Sequence, residues 1–168
     1  FCLRATKGSA PDADAVFRAC QDPDIQHFTQ VPVPYRLEHA EGFVADAPRQ
    51  WADGTGAQFA VTDPTTGLLL GCMGLLEAHH QHGRIGAGYW TAPWGRSHGF
   101  TRRALRLVTG WALTDGGFDT AVLEVELDNP RSTAVVRSVG YRPADTPIDS
   151  WELKGTVRHF VNYRITRG

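Results

Sequence analysis

The stretch from Arg96 to Thr101 combines residue types that can hold a phosphate group. An apolar run over 85–90 predicts a buried strand before it, and apolar residues at helical spacing over 100–112 predict a helix after it. The first N–H groups of a helix have no partner within the helix, and the helix dipole favours negative charge there. Arg96 adds a planar guanidinium suited to phosphate oxygens. We therefore interpret the stretch as a diphosphate-binding turn.

This motif is not unique to phosphate sites. A Gly-x-x-x-Gly spacing between a strand and a helix, here Gly95 and Gly99, is also common in ordinary loops. The chain lacks the Gly-x-Gly-x-x-Gly pattern of dinucleotide sites, and no Gly-Lys-Ser/Thr follows. Neither dinucleotide binding nor P-loop chemistry is indicated.

The elements around this turn predict one mixed α/β domain over residues 1–168. Helical spacing and stop residues predict helices at 9–20, 38–51, 100–114 and 130–139, with a short turn over 22–28. Alternation predicts strands at 1–6, 58–62, 68–76, 84–90, 119–127 and 157–165, with another beginning at 141. The strands from 58 to 90 form an antiparallel meander. Strand 119–127 lies parallel to 84–90, because a helix crossover joins them.

Two segments are predicted to be irregular. The two prolines in 31–35 prevent regular structure there, so we expect an ordered loop. The segment 144–155 is expected to be a loop or an irregular hairpin.

Composition excludes several classes of function. The net charge of −1 over 168 residues gives no broad attraction to nucleic acid, and no apolar run is long enough to cross a membrane. No signal peptide is visible. The three cysteines are far apart and read as reduced thiols, so we expect a cytoplasmic protein. His79, His80 and His82 share a predicted turn without further ligands, so no metal site is expected.

Several motifs, taken in order, resemble the GNAT superfamily of acetyl-CoA-dependent N-acetyltransferases. Within it, the chain looks like the branch that acetylates ribosomal-protein N-termini (RimJ/RimL). The residues that carry the resemblance are Gly88-Tyr89-Trp90, Pro93-Trp94, Arg96-Ser97-His98-Gly99-Phe100-Thr101, Asn129-Pro130-Arg131-Ser132 and Gly140-Tyr141. The chain departs from the family at Ser97 and Thr101, which replace small loop residues. It also has Gly86 where some relatives have Glu, and Val136 where other branches have a tyrosine that protonates the thiolate.

The resemblance implies a mostly antiparallel mixed sheet of about seven strands, flanked by about four helices. It also implies that the central parallel pair splays to admit the pantetheine arm of acetyl-CoA. The implied cofactor contacts are Trp90, Thr91 and Ala92 for pantetheine, Arg96, Ser97, His98, Gly99, Phe100 and Thr101 for the diphosphate, and Asn129 and Ser132 near the thioester. Main-chain N–H groups near Thr91 and Ala92 are candidate oxyanion donors.

The same family chemistry suggests catalytic residues. An attacking amine must be neutral and the departing thiolate must be stabilised or protonated. We predict that Ser132 protonates the thiolate and that Glu124 is the candidate base. Simpler explanations are that Ser132 and Asn129 only support the start of a helix, and that Glu124 lies on a solvated sheet face.

The acceptor is expected to contact His27, Phe28, Tyr35 and Trp151, which lie in the segments that contact acceptor in this family. The predicted function is acetyl transfer to a protein or peptide N-terminal α-amine, by a monomer or homodimer. Two alternatives remain open. One is a small-molecule amine acceptor such as an antibiotic, polyamine or amino acid, and the other is a degenerate domain that binds acyl-CoA without catalysis.

Overall fold

The structure is a computed structural model that describes residues 2–5 and 10–168. Its helices are α1 (Ala10–Ala19), α2 (Pro23–Phe28), α3 (Leu37–Ala52), α4 (Phe100–Leu113) and α5 (Pro130–Val139). Its strands are β1 (Cys2–Ala5), β2 (Ala57–Thr62), β3 (Leu69–His79), β4 (Arg84–Thr91), β5 (Thr120–Glu126), β6 (Arg142–Leu153) and β7 (Thr156–Thr166).

The strands form one sheet in the order β1-β2-β3-β4-β5-β7-β6. The predicted meander of β2, β3 and β4 is antiparallel, as expected. β5 lies parallel to β4, because α4 carries the chain back to the same edge. The mixed sheet and its parallel pair confirm the fold that the sequence predicted.

Helices cover both faces of the sheet and bury two separate cores. On one face, which we call the α4 face, residues of α4 and α5 such as Leu105 and Val136 pack against Met73 and Leu123 of the sheet. On the other, the α3 face, α1, α2 and α3 pack on Ala60 and neighbouring residues. Side chains alternate along a strand, so neighbouring residues of β4 and β5 point into different cores.

The structure differs from the sequence prediction in the segment between the first two predicted helices. The segment predicted as a short turn over 22–28 contains helix α2, because Asp22 accepts a hydrogen bond from the Ile25 N–H at 3.0 Å and Pro23 occupies the first helical turn. For the segment 144–155, which was predicted to be a loop or an irregular hairpin, the structure shows the irregular hairpin. β6 runs along β7 with a register shift between Pro143 and Ile148.

Parts of the N-terminal predictions fall on residues 1 and 6–9, which lie outside the described residues. Among the described residues, Cys20 and Cys72 are buried free thiols and Cys2 is an exposed one. No helix in the described ranges is both long and apolar enough to cross a membrane.

Helix α4 offers a matched test of the core on the α4 face. Leu105 is fully buried, whereas Leu107 on the same helix is 56% exposed. We expect Leu105→Ala to lower the free energy of unfolding by about 2–5 kcal/mol, because it removes buried methyl groups and leaves a cavity. Leu107→Ala should change it by less than about 0.5 kcal/mol. Urea unfolding of both variants measures the difference, and equal losses would contradict this packing.

Candidate active site

The two central parallel strands separate after three residue pairs. β4 and β5 pair from Arg84 with Thr120 to Gly86 with Val122. β4 then continues to Thr91 and β5 to Glu126, and no further pair joins the two strands within the described residues. A gap therefore opens at the carboxyl ends of both strands, with backbone groups on its walls.

The turn that follows β4 is fixed to the neighbouring strand β3. The Ala92 N–H donates to the Leu70 carbonyl at 2.9 Å, and the Trp94 indole N–H donates to the Leu69 carbonyl at 2.6 Å. Gly95 packs so closely that an added Cβ would lie 2.4 Å from the Leu70 oxygen. The Ala92 N–H is thus occupied, and it is not available as an oxyanion donor in this arrangement.

The predicted anion-binding turn leads directly into α4. Ser97 and Gly99 both have positive φ, of 65° and 70°, and Gly99 is the N-cap of the helix. The first N–H to bond back into the helix is that of Arg103, which donates to the Gly99 carbonyl at 3.3 Å. An added Cβ at Gly99 would meet nothing within 4 Å. The turn therefore presents an open surface at the positive end of a helix dipole.

The Arg96 guanidinium points toward α2. It pairs with Asp22 and, at 3.2 Å, with Asp24, and Arg131 of α5 also contacts Asp24 at 3.3 Å. Two carboxylates therefore offset its charge, and the backbone N–H groups supply most of the attraction for an anion at this turn.

The other predicted residues of the turn have defined contacts. The Thr91 and Thr101 hydroxyl oxygens lie 2.7 Å apart, which links the end of β4 to the first turn of α4. His98 lies 2.6 Å from the Arg96 carbonyl through Nδ1, and its ring stacks on Phe100. Trp90 packs against the core on the α3 face.

Two predicted residues at the start of α5 lie beside the gap. The Asn129 side chain accepts a hydrogen bond from the Ser132 N–H at 3.0 Å, so it caps the helix. The Ser132 hydroxyl lies 2.7 Å from the phenol oxygen of Tyr89, which reaches across from β4. Burial raises the pKa of Tyr89 to about 12, although the hydrogen bond with Ser132 opposes that rise. The phenol therefore keeps its proton at neutral pH.

Glu124 lies on β5 beyond the point where the strands separate. Its neighbours Leu123 and Val125 are buried in the core on the α4 face, so Glu124 is on the α3 face, opposite Tyr89 and Ser132. Glu124 is exposed at the surface, but partial desolvation by neighbouring atoms raises its pKa, and the charges of Asp149 and Glu77 raise it further. Hydrogen bonding by Trp151 and the charge of Arg84 lower it.

The predicted acceptor residues do not all reach the gap. His27 and Phe28 lie at the end of α2, with their rings in edge contact at 4.5 Å. Trp151 stacks on Phe160 at 4.4 Å and faces Glu124. Tyr35 instead is buried in the core on the α3 face, where its side chain hydrogen-bonds to Cys20.

The β6–β7 hairpin holds the end of α2 in place. Arg158 donates to the His27 carbonyl at 2.9 Å and contacts both carboxylate oxygens of Glu126, at 3.2 and 3.1 Å. Lys154 donates to the carbonyls of Gln26 and, at 2.9 Å, Thr29. Cations thus satisfy carbonyls at a helix C-terminus, where the dipole favours positive charge.

Sequence reasoning missed Tyr89 as a site residue and missed the link through Arg158. Tyr89 stands within the Gly-Tyr-Trp motif, which was a usable signal, but only the fold brings it to Ser132. Arg158 is 32 residues from Glu126, and nothing in their spacing indicates a pair.

Across residues 2–5 and 10–168, no group of three or more His, Cys, Asp or Glu side chains could hold a metal ion.

Comparison with a family model adds an independent finding. Residues 1–142 match the model described as an acetyltransferase (GNAT) domain. No curated protein sequence matches the chain significantly.

Several solved acetyltransferases share the fold. The spermidine N-acetyltransferase from Vibrio cholerae, in complex with CoA and spermine, has a TM-score of 0.81 and 18% identity, over 99% of this chain and 95% of that one. The ribosomal-protein-S5-alanine acetyltransferase from Vibrio fischeri has a TM-score of 0.85 and 12% identity, over 98% of this chain and 92% of that one. The microcin C7 self-immunity acetyltransferase, in complex with acetyl-CoA and AMP, has a TM-score of 0.81 and 13% identity, over 94% of this chain and 88% of that one. At these identities the likeness is one of fold.

A negative charge introduced into the anion-binding turn tests whether the diphosphate binds there. Gly99→Glu places a carboxylate and a strained positive φ where a diphosphate would approach the backbone. We expect the dissociation constant for CoA to rise at least about tenfold in titration calorimetry, equivalent to about 1.4 kcal/mol.

Gly110→Glu is the matched control, because Gly110 lies further along α4 in open space. It should leave CoA affinity within about threefold, since the helix dipole acts only over the first turn. A folded Gly99→Glu variant with unchanged affinity would place the diphosphate elsewhere.

Proposed function

This chain belongs to the GNAT acetyltransferase family, and from that premise we propose that it acetylates the N-terminal α-amine of a protein or peptide. Acetyl-CoA is the acetyl donor and an amine is the acceptor. The observation that carries the proposal is the gap between β4 and β5, which has the anion-binding turn at one end and candidate proton-transfer groups on both sheet faces.

We propose that acetyl-CoA binds along this gap. Its diphosphate lies on the backbone of the anion-binding turn before α4, and its pantetheine amides pair with β4 around Thr91, because the N–H and carbonyl of Ala92 are already bonded to Leu70 and Gly95. The open surface at Gly99 supports this placement. So does the end of the pairing between β4 and β5 at Gly86, beyond which the described residues show no further pair between these two strands. Asn129 and Ser132 then lie beside the thioester.

An α-amine suits the weak base available here. With an ordinary pKa near 8, roughly one α-amine in ten is neutral at pH 7, against roughly one ammonium in 2,500 for a lysine-like amine with pKa near 10.4. Glu124 has a raised pKa, which makes its carboxylate a stronger base than that of an ordinary glutamate. We propose that it takes the amine proton, directly or through water.

Ser132 lies on the opposite face, where the sulfur would leave. The amine nitrogen forms a bond to the thioester carbon, the carbon–sulfur bond breaks, and the sulfur keeps the electron pair. A thiol ordinarily titrates near 8.5, well below Tyr89 at about 12. Tyr89 is therefore not the net source of the proton. Its phenol donates to Ser132, and the serine hydroxyl hydrogen-bonds to the thiolate until the proton released by the amine restores the thiol.

A small-molecule polycation is the second candidate acceptor. The charges of Asp149 and Glu77 act on Glu124, and this cluster of carboxylates favours a positively charged acceptor. The likeness to a spermidine acetyltransferase fold is compatible with this candidate. The Gly88-Tyr89-Trp90 motif instead favours the RimJ/RimL-like branch, and the buried free thiols favour a cytoplasmic setting.

Acetyl-CoA-dependent thiol release with a panel of amines distinguishes the candidates. We expect peptides with free α-amines to give kcat/KM values at least about tenfold above those of spermidine and Nα-acetyl-lysine, because more of the α-amine is neutral. N-terminally blocked versions of the same peptides are the controls and should be inactive. A preference for spermidine would support the second candidate, and no turnover with any amine would indicate a binding domain without catalysis.

Ser132 and Tyr89 should act as a unit in the chemical step. We expect Ser132→Ala to lower kcat by up to about 10²-fold, because a hydrogen bond to a charged group contributes up to about 3 kcal/mol. Tyr89→Phe should lower it about fivefold, as for one lost hydrogen bond, with CoA affinity unchanged in both. The double variant should be no slower than Ser132→Ala alone, because Tyr89 acts through the serine. Additive losses would show that the two residues act separately.

The raised pKa of Glu124 predicts how kcat/KM should depend on pH. The base must be ionised, so kcat/KM for a peptide should fall as pH drops through the pKa of Glu124, which lies above that of an ordinary glutamate. Protonation of the amine also lowers kcat/KM at low pH, so Glu124→Gln should remove only the additional, steeper fall through the pKa of Glu124, and it should lower the rate at pH 7. Asp145→Asn is the charge-matched control, since Asp145 is an exposed carboxylate that pairs with Arg164 and has no role in the proposed chemistry. An unchanged profile in Glu124→Gln would exclude Glu124 as the base.

A further inference from the structure

A second cavity lies at the opposite end of α4 from the anion-binding turn. It has a volume of about 150 Å³. The rings of Trp51, His80, Trp111 and Phe118 line it, with Leu75 and Ile85 of the sheet among its apolar walls. Phe100 and Trp111 are 11 residues apart on α4, so about 16 Å of helix separates the cavity from the turn. The cavity is therefore not part of the acetyl-transfer site.

The four rings are held in two pairs. Trp51 at the end of α3 stacks on Trp111 of α4, with centroids 5.7 Å apart and planes inclined by 29°. His80 lies over Phe118 at 5.0 Å and 32°, and its Nε2 is 2.8 Å from the Gly54 carbonyl. Trp51 is 54% exposed and Trp111 is 36% exposed. Two large indoles thus remain partly open to solvent at the cavity.

Glycine backbone forms the rest of the wall. An added Cβ at Gly56 would lie 2.6 Å from the Leu75 oxygen, and one at Gly116 would lie 2.9 Å from the Ala112 oxygen. Side chains are sterically excluded at both positions. The cavity therefore has narrow, flat walls of backbone and ring faces, which suit a planar ligand.

The lining also restricts the charge of a ligand. Among the described residues that line the cavity, none is Asp, Glu, Lys or Arg, and His80 already has a partner for Nε2. A charged group placed there would lose hydration without a compensating ion pair. A cavity of about 150 Å³ with apolar walls is large enough for one benzene ring.

From these observations we propose that this cavity is a binding site for an uncharged molecule with a single aromatic ring. The ring would lie between the indole pair and the His80–Phe118 pair and would cover the open indole surface. The proposal is independent of the acceptor used in acetyl transfer.

Toluene is a suitable probe, with benzylamine as its charged counterpart of similar shape. Saturation-transfer NMR with increasing toluene should give a saturable signal, and titration should quench indole fluorescence. Benzylamine should bind at least tenfold more weakly, because its ammonium would have no partner.

Ala78→Leu and Ala57→Leu each add three carbons at a lining position and should abolish saturable toluene binding. Leu107→Ala is the control, because Leu107 is an exposed α4 residue outside the lining, and it should leave binding unchanged. Thermal unfolding shows whether Ala78→Leu and Ala57→Leu, the two cavity-filling variants, are folded. One folded variant is enough for the test. Absence of saturable toluene binding to the unmodified protein, or undiminished binding to a folded filling variant, would overturn the proposal.

Discussion

The separation of β4 from β5 is the constraint on which the rest of the site depends. Three residue pairs hold the strands together up to Gly86 and Val122. Beyond that point each strand is held by its other neighbour, β3 on one side and β7 on the other. A sheet normally satisfies its backbone groups between strands, so an internal gap leaves donors and acceptors available to an extended ligand. The pantetheine arm of acetyl-CoA, with its two amides, has this chemistry.

Contacts across the gap hold its walls in position without closing it. Tyr89 of β4 meets Ser132 of α5 on the α4 face. On the other face, α2 is tied at its start to Arg96 through Asp22 and Asp24, and at its end to the β6–β7 hairpin through Lys154 and Arg158. The short helix α2, which carries two candidate acceptor residues, is therefore bonded both to Arg96 of the anion-binding turn and to the β6–β7 hairpin. A helix of six residues has little stability of its own, so these contacts determine where it lies.

The gap also separates the two catalytic tasks that we propose, which are removal of the amine proton by Glu124 and stabilisation of the thiolate by Ser132. Glu124 and Ser132 lie on opposite faces of the sheet, because β5 alternates its side chains and α5 packs on the α4 face. The amine would approach from the side of the carboxylate and the sulfur would leave toward the serine. The rise in the pKa of Glu124 comes first from partial desolvation and then from neighbouring carboxylates, and both effects require residues that are distant in sequence.

The sequence by itself determined the local elements and the motifs. The strand–turn–helix from 85 to 112, the antiparallel meander and the cap at Asn129 could all be predicted, because periodicity, glycine and proline act over a few residues. Only the tertiary structure brought Tyr89 to Ser132, turned Arg96 toward Asp22 and Asp24, and buried Tyr35 in a core. These arrangements depend on contacts between elements, and spacing along the chain carries no information about which side chains will meet. The course of 144–155 was likewise decided by pairing with β7, which outweighed the two prolines in β6.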